Sequence, residues 1–391
     1  MSDFYAASNC PGVQVVAGCD VDALKRERFM KRVTEWQKKA GWNPRCDTYE
    51  FYEEMLDRKD IDVVSIATPD HWHALAAIHA CQASKDVYLQ KPLTYTISES
   101  IALVRAVRAN DRVLQVGSQQ RSDREFQRAI ELVRAGAIGH IENVQVHIGE
   151  PPKPFDLPEV PVPPYLNFNA WMGPLTSPNV HYHPDMCPPI DNPEMEEKGP
   201  WAVWRNYRET GNGYTGDWGA HHYDITQAAL GMDGSGPVEY IPVGYNGTKY
   251  CTMKYADGIV VTEQVIENFR KDNPNELGIK FIGTKGWLKV ARGYIECSDP
   301  SLVKDTPMGA EVSHMQNFVN CIRSRRNPIA PVEVGCSTNI MCCLNNIAHE
   351  LGRPVKWDPA TLSFGDDEEA ANHRLYYYKY RNPYTLPYWD K

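Results

Sequence analysis

The chain has 391 residues, of which 42% are hydrophobic and 23% are charged, and its formal net charge at pH 7 is -9. This length favours two domains or one large domain, with enough hydrophobic residues for real cores. The negative charge argues against nucleic acid as the main partner, and the longest hydrophobic runs are too short to span a bilayer. We therefore expect a globular protein that binds a small molecule, with no nucleic-acid and no membrane partner.

The first third of the sequence alternates between β-rich runs and helical stretches. The β-rich runs are 13–20, 61–68, 86–89 and 112–117, and the helical stretches run up to about residue 40, from 50 to 56, up to about residue 83 and from 98 to 109. This alternation predicts an α/β fold whose N-terminal part is a Rossmann-type, doubly wound parallel sheet.

The start of this pattern is unusual for a dinucleotide-binding sheet. Such a sheet opens with a strand and a Gly-x-Gly-x-x-Gly turn, whereas residues 1–8 already look like the helix that follows the turn. The glycine-rich residues 211–216 lie in the second half and have no valine-rich strand before them. Because loss of the first strand would leave its neighbours without ladder partners, we expect the native gene to begin on the order of twenty or more residues upstream.

Asp20 keeps a cofactor site plausible in this part of the chain. It stands at the end of its predicted strand, where dinucleotide-binding folds carry an acid. It would accept hydrogen bonds from the ribose hydroxyls and repel a 2′-phosphate, which favours NAD over NADP. The alternative is that Asp20 only caps the helix that follows it.

After Gly117 the pattern changes to that of a second domain. An amphipathic helix to about residue 135 and a strand over 141–149 precede a proline-rich loop over 151–200, which we expect to cover a site. Runs at 238–243, 250–255, 259–266, 279–282 and 287–291 predict an open, largely antiparallel sheet, with 283–286 as a hairpin turn. Two helices, over 309–325 and 333–351, come before an aromatic arm over 376–389.

Two remote segments predict the chemistry. Gln90-Lys91-Pro92 follows a buried run, and Asp217 and His221 stand four apart in a helix predicted over 216–231. They would share one helix face, where the carboxylate can orient the imidazole. Lys91 would favour the alkoxide character of a hydroxyl under oxidation, and neutral His221 would accept its proton.

Each of these side chains has a plainer interpretation. Lys91 could be a surface lysine at a strand end, and His221 a hydrogen-bonded core histidine. A metal site built from Asp217, His221 and the polar residues of 181–185 is conceivable, because imidazole and carboxylate suit several divalent ions. We nevertheless expect no metal, and contacts to sugar hydroxyls or solvent for 181–185.

Several residues are candidates for substrate binding. Arg121 and Arg205 could hold an oxygen-rich ligand, or form an ion pair at the domain seam. His222 could contact the substrate or be structural. Three aromatic side chains could stack on a sugar face, or they could simply belong to the core. These aromatic residues are Trp201, Trp204 and Tyr214.

The order and spacing of four motifs resemble the glucose-fructose oxidoreductase and inositol dehydrogenase family (Gfo/Idh/MocA) over nearly the whole chain. The motifs are Thr68-Pro69-Asp70-His71-Trp72-His73, Gln90-Lys91-Pro92, Asp217-x-x-x-His221-x-x-Asp224 and Gly283-Thr284-Lys285-Gly286. Residues 116–121, 218–222 and 381–384 resemble a bacterial branch linked to glycoside processing. The usual Glu-Lys-Pro is Gln-Lys-Pro here.

The resemblance implies a role for each matching residue. Lys91 and His221 would act on the reacting hydroxyl with help from Asp217, and Asp20 would contact the cofactor ribose. The nicotinamide side would be lined by Thr68, Pro69 and His73, and Gln90 and Lys91 would also contact the cofactor. The implied domains are a Rossmann-type, N-terminally incomplete domain over 1–121 and an α+β domain over 122–391 for substrate binding and oligomer contacts.

We therefore predict an NAD-dependent oxidoreductase that removes a hydride from a secondary hydroxyl of a sugar, glycoside or cyclitol. One alternative is a redox-neutral NAD-dependent glycosidase or lyase that uses transient oxidation. Another is a non-catalytic sugar-sensing paralogue that has lost cofactor binding. Eleven cysteines without a CxxC spacing predict reduced thiols and a cytoplasmic location, unless an export signal lies upstream of Met1. We expect a homo-oligomer, either a dimer or a tetramer.

Overall fold

The computed structural model describes residues 2–190 and 202–390. Its N-terminal part confirms the predicted alternation of strands and helices. The elements are α1 (Ser2–Ser8), β1 (Ala17–Cys19), α2 (Ala23–Lys39), β2 (Asp47–Tyr49), α3 (Tyr52–Leu56), β3 (Val63–Ile66), α4 (Asp70–Gln82), β4 (Asp86–Leu89), α5 (Ile97–Ala109) and β5 (Leu114–Val116).

The strands of this part form two parallel sheets, one of β1 and β2 and one in the order β3-β4-β5. All four residues of β4 are buried, as is typical of a central parallel strand covered on both faces. Helix α1 lies beside both sheets: Phe4 packs with Val33 and Cys46, and Asp3 contacts Ser65 of β3. The carboxyl ends of β3 and β4 point toward the same edge, which is where parallel sheets place ligands.

The second part is an open sheet covered by helices. Its elements are α6 (Arg124–Arg134), β6 (Ile141–Val146), α7 (Phe168–Met172), α8 (Gly213–Asp217), α9 (Gly219–Leu230), β7 (Glu239–Ile241), β8 (Cys251–Lys254), β9 (Val260–Glu263), β10 (Ile279–Gly283), β11 (Gly286–Ala291), β12 (Tyr294–Cys297), α10 (His314–Ser324), α11 (Val332–Leu351), β13 (Val355–Lys356) and α12 (Glu368–Ala371).

The eight-stranded sheet has the order β12-β11-β10-β6-β9-β8-β7-β13. Its pairs are antiparallel except β6 with β9, which confirms the predicted largely antiparallel sheet. The predicted hairpin turn is also confirmed, because Gly283 and Gly286 face each other at the end of β10 and β11. The edge strands β12 and β13 were not predicted. Buried alternate residues such as Val144, Val146 and Phe281 form the core beneath the helices.

The prediction of one helix over 216–231 is wrong in detail. The helix is interrupted at Trp218, so Asp217 ends α8 and His221 lies in the first turn of α9. The backbone of Trp218 stays in the helical region, at φ -87° and ψ -31°. Asp217 and His221 are therefore still about one turn apart, but in separately hydrogen-bonded segments.

The C-terminal arm wraps around its own chain. The backbone N–H groups of Ile97 and Ser98, at the start of α5, donate to the carbonyls of Leu375 and Tyr376, both at 2.9 Å. Further along, the Tyr380 hydroxyl donates to Glu99 at 2.6 Å. Its aromatic residues are thus placed on other elements of the same chain, and the arm ties the C-terminal part to α5. Within the described ranges, no helix is both long and apolar enough to cross a membrane.

Candidate functional site

A polar cavity of about 310 Å³ lies at the carboxyl ends of β3 and β4. Four segments line most of it: the β3–α4 turn, the β4–α5 turn, the loop that carries Trp204 and Arg205, and helix α8. Gly213 allows α8 to start here, because its φ is 65° and a Cβ atom would lie 2.4 Å from the backbone nitrogen of Pro152. The cavity therefore forms where the N-terminal part meets the second part of the chain.

The structure brings Lys91 and Asp217 together in this cavity, although 126 residues separate them. The Lys91 ammonium donates to the Asp217 carboxylate in an ion pair. Their side chains are only 17% and 11% exposed, so the pair is weakly screened by solvent and is oriented toward the cavity. A positioned ammonium of this kind can stabilise negative charge on a ligand oxygen.

His221 is placed differently from the prediction. It is 5% exposed, lies outside the cavity lining, and forms no hydrogen bond with Asp217, whose carboxylate is held by Lys91 instead. Its Nδ1 atom is buried without a hydrogen-bond partner among the described residues. Burial, followed by the charges of Lys91 and Arg292, holds the pKa of His221 well below its usual value. The imidazole is therefore neutral, but the expected orientation by Asp217 is not present.

His73 connects the two turns that line the cavity. Its Nδ1 atom lies 2.8 Å from the carbonyl of Pro92, and its Nε2 atom lies 3.0 Å from the carbonyl of Thr68. Burial lowers the pKa of His73 to about 4. Thr68 and His73, two of the predicted cofactor-binding residues, line the cavity. Pro69 lies outside the lining, and its carbonyl accepts the Trp72 backbone N–H at 2.9 Å.

Gln90 lines the cavity beside Lys91. Its Nε2 atom donates to the Asp3 carboxylate at 2.7 Å, and its Oε1 atom accepts a long hydrogen bond of 3.5 Å from Gln119. Asp3 and Gln119 are also part of the lining and were not singled out from the sequence. Gln90 thus belongs to a polar network that links the β4–α5 turn to the N-terminal end of α1.

Asp20 lies away from the cavity, between β1 and α2. Its carboxylate accepts the backbone N–H of Asp22 at 2.9 Å. The helix cap considered for Asp20 is in fact supplied by Asp22, which accepts from the backbone of Leu24 and Lys25. Burial raises the pKa of Asp20. Its contact with a cofactor ribose remains a prediction.

Two of the predicted substrate-binding residues, Arg121 and His222, are bound to other groups of the protein. The Arg121 guanidinium donates to Asp224 and to Asp233, each at 2.6 Å, so the alternative of an ion pair describes it. His222 is fully buried, with Nδ1 3.1 Å from the carbonyl of His147, and burial lowers its pKa to about 3. Neither residue lines the cavity, and a substrate role gains no support for either of them.

Arg205 is the predicted substrate-binding residue that does line the cavity, and its guanidinium stacks at 4.3 Å over the ring of Trp204. Tyr214 lies in α8, packed against the turn at Gly149 and outside the lining. Trp201 lies outside the described residues. Asp70 also lines the cavity; it belongs to the Thr68–His73 motif, but the sequence assigned it no role.

The polar residues of 181–185 do not form a metal site with Asp217 and His221. In the structure His181 Nε2 lies 2.8 Å from the carbonyl of Leu157, and His183 lies 3.5 Å from Asp185. Within residues 2–190 and 202–390, no three His, Cys, Asp or Glu side chains are grouped so that they could hold a metal ion. All eleven cysteines are free thiols.

Two family models match the chain. Residues 4–118 match "Oxidoreductase family, NAD-binding Rossmann fold" (GFO_IDH_MocA), and residues 153–386 match "Oxidoreductase family, C-terminal alpha/beta domain" (GFO_IDH_MocA_C2). The two matches follow each other in the order of the two structural parts described above.

Curated relatives resemble a shorter stretch. Inositol 2-dehydrogenase of Salmonella typhimurium is 28% identical over 134 residues, 34% of this chain and 37% of that protein. Glycosyl hydrolase family 109 protein 2 of Shewanella sp. (strain ANA-3) is 30% identical over 144 residues, 36% of this chain and 31% of that protein. The matched region thus spans about a third of each of these relatives.

Solved structures show the same fold over most of the chain. Aldose-aldose oxidoreductase from Caulobacter crescentus has a TM-score of 0.58 and 17% identity, covering 89% of this chain and 93% of that chain. Scyllo-inositol dehydrogenase from Lactobacillus casei has a TM-score of 0.55 and 16% identity, covering 90% of this chain and 93% of that chain. At this level of identity the likeness concerns the fold alone.

Proposed function

Because the chain belongs to the Gfo/Idh/MocA oxidoreductase family, we propose that it is an NAD-dependent dehydrogenase acting on a secondary hydroxyl of a sugar, glycoside or cyclitol. The observation that carries the proposal is the Lys91–Asp217 ion pair in a polar cavity at the carboxyl ends of parallel strands. The cavity is lined by carboxylates, amides and cations, which suits a ligand rich in hydroxyl groups.

The residues around the cavity fit the nicotinamide end of NAD. Thr68, Gln90 and Lys91 follow β3 and β4 at the edge where dinucleotides bind, and they offer hydroxyl, amide and ammonium groups to its polar atoms. These three residues would hold the cofactor, which when bound supplies the acceptor for the hydride. Preference for NAD over NADP rests on the carboxylate of Asp20, which would repel a 2′-phosphate.

The proposed mechanism assigns separate tasks to the chain's own groups. Lys91, held in place by Asp217, donates a hydrogen bond to the substrate oxygen and stabilises its alkoxide character as the C–H bond breaks. Neutral His221 is the proposed acceptor of the hydroxyl proton, since its unprotonated imidazole has a nitrogen lone pair, and this role requires a closer approach to the substrate than its present position outside the lining. Asp217 acts through Lys91 and is a positioning residue.

We also propose the domain division 1–121 and 122–391, with a homo-oligomer in the cytoplasm. The division is supported by the sheets, because β1 to β5 all lie in the first range and every strand of the eight-stranded sheet lies in the second. Sedimentation equilibrium of the full chain tests the oligomer, and a monomer at micromolar concentration would contradict it.

A second function is favoured by the similarity to glycosyl hydrolase family 109 proteins. Transient oxidation of a hydroxyl acidifies the neighbouring C–H bond, which permits elimination of a glycosidic group before the carbonyl is reduced again. The net reaction would be redox-neutral cleavage of a glycoside. The same cavity and the same Lys91 would serve both reactions.

The deciding experiment incubates the protein with NAD and a panel of inositols, free aldoses and nitrophenyl glycosides. A dehydrogenase accumulates NADH, measured at its absorbance band, with at least one free polyol. A redox-neutral enzyme instead releases nitrophenol without net NADH. Neither NADH nor nitrophenol from any member of the panel would contradict both functions and favour a non-catalytic sugar-binding protein.

Replacement of His221 by alanine should lower hydride transfer by roughly 10²-fold, because the proposed proton acceptor is lost. The adjacent His222 is a matched control: it is equally buried, but its Nδ1 atom is engaged by the His147 carbonyl. His222→Ala should therefore lower the stability of the fold but leave the rate of hydride transfer in the folded protein nearly unchanged. Single-turnover rates, with folding checked by circular dichroism, compare the two. Equal single-turnover rates for folded His221→Ala and the unsubstituted protein would remove His221 from the mechanism.

A further inference from the structure

Asp70 is a buried carboxyl group that faces the cavity, and it has no partner among residues 2–190 and 202–390. It is the first residue of α4, it is 5% exposed, and it lines the same cavity as Lys91 and Arg205. Its carboxylate forms no hydrogen bond and no ion pair with any residue in the described ranges. Buried polar groups in native proteins are nearly always hydrogen-bonded, so a group left open toward a cavity points to a ligand.

The charges around Asp70 come from several elements. Burial is the main influence and raises the pKa of Asp70 to about 7. The cations of Arg205 and Lys91 act against this rise, whereas the carboxylates of Asp217 and Glu99 add to it. Near neutral pH the carboxyl group therefore exists in both forms, able to accept a hydrogen bond when ionised and to donate one when protonated.

The cavity lining contains ammonium, guanidinium and carboxyl groups that one bound ligand could contact at the same time. Lys91 is already paired with Asp217, and Asp70 pairs with neither Lys91 nor Arg205 although all three side chains border one cavity. A ligand with two neighbouring hydroxyl groups can contact the ammonium with one oxygen and the carboxyl group with the other. In the proposed mechanism the hydroxyl at Lys91 gives its one proton to His221, so it has no proton left to donate to the Asp70 carboxylate, and a second hydroxyl is required.

We propose that Asp70 is a substrate-binding residue, and that its carboxyl group hydrogen-bonds a second hydroxyl of the polyol, next to the hydroxyl held by Lys91. The assignment makes a diol, rather than an isolated secondary alcohol, the unit that the cavity selects. It rests on the proposed function for the identity of the Lys91-bound hydroxyl, but the binding contact itself does not depend on turnover.

The test measures polyol binding rather than activity. Isothermal titration of the full chain with the inositols and aldoses of the panel, in the presence of NADH, which cannot accept a hydride, identifies the polyol that binds best. Asp70→Ala should bind this polyol ~10- to 100-fold more weakly, the loss expected for a hydrogen bond to a charged group. At least one single-deoxy analogue should bind the unsubstituted protein equally weakly, with no further loss in Asp70→Ala.

Two further variants separate binding from helix stability. Glu54→Gln removes one negative charge from the first turn of the neighbouring helix α3 at an exposed position, and it should leave polyol affinity unchanged. Asp70→Asn keeps the size and hydrogen-bonding capacity but not the charge. Polyol affinity of the unsubstituted protein should rise between pH 6 and 8, because a carboxylate accepts stronger hydrogen bonds, and this rise should be absent in Asp70→Asn.

The outcomes are distinct. Polyol affinity that is the same in Asp70→Ala as in the unsubstituted protein overturns the assignment, and so does the absence of polyol binding to the unsubstituted protein. Binding that depends on Asp70 without NADH or nitrophenol production would instead leave the contact standing and contradict the proposed function.

Discussion

Replacement of Lys91 by alanine is expected to lower the rate of hydride transfer by roughly 10²- to 10⁴-fold while the protein stays folded. The Lys91 ammonium lines the cavity and pairs with Asp217, so its removal takes away the group proposed to stabilise the developing alkoxide. Lys91→Ala also leaves the Asp217 carboxylate without its counterion, and the Asp217 side chain is only 11% exposed. A modest loss of stability is therefore expected together with the large loss of rate.

The measurement is a single-turnover reaction with NAD and the polyol that the panel identifies, in parallel with urea unfolding. Lys59→Ala, at an exposed position between β2 and β3, removes the same charge outside the cavity and should react like the unsubstituted protein. Lys91→Arg should recover little activity, because a guanidinium is larger and its planar donors differ from a compact ammonium. Turnover of Lys91→Ala near that of Lys59→Ala would refute the role.

Replacement of Asp224 by alanine should lower the free energy of unfolding by about 3 kcal/mol, without raising the KM of the folded fraction. Asp224 is fully buried and receives Arg121 at 2.6 Å and the Thr338 hydroxyl at 3.2 Å. Its loss leaves the buried Arg121 with one charged partner among the described residues, the half-buried Asp233. The expected cost is therefore at the lower end of that for breaking a buried ion pair.

Urea unfolding of three variants checks this interpretation. Asp233→Ala, which removes the more exposed partner, should cost no more than about 1 kcal/mol. The double variant Arg121→Met/Asp224→Leu should recover much of the loss, because an apolar pair needs no charge compensation. If Arg121 contacted the substrate, the double variant would still recover stability but would show a strongly raised KM. That result would restore the binding role predicted from the sequence.

Local patterns were sufficient for most of the fold. The four buried residues of β4 and the long apolar helix α11 were predicted within one residue, because their burial and period are written in consecutive residues. The hairpin at 283–286 follows from two glycines between apolar runs. The edge strands β12 and β13 were missed because short, half-exposed strands carry little hydrophobic pattern, and their pairing depends on a partner strand elsewhere.

The site was predictable only in part. Sequence motifs identified Lys91 and Asp217 as members of one site, and the structure shows them in contact. Helical spacing then suggested that Asp217 orients His221, but the carboxylate is held by Lys91 from a distant segment. A four-residue spacing identifies neighbours on one helix face. It cannot show that a charged group from another segment, here Lys91, binds the carboxylate more strongly.

The sequence by itself determined the α/β class, the family and the identity of the cavity's amine and acid, because these depend on residue type and on short-range order. Only the tertiary structure decided which polar groups remain open to a ligand. The Arg121 guanidinium is bound by Asp224, 103 residues away, and is not open to a ligand, whereas the Asp70 carboxyl group faces the cavity and is unpaired in the described part of the chain. Availability depends on burial and on the distance to opposite charges, and both are set by segments that are remote in the chain.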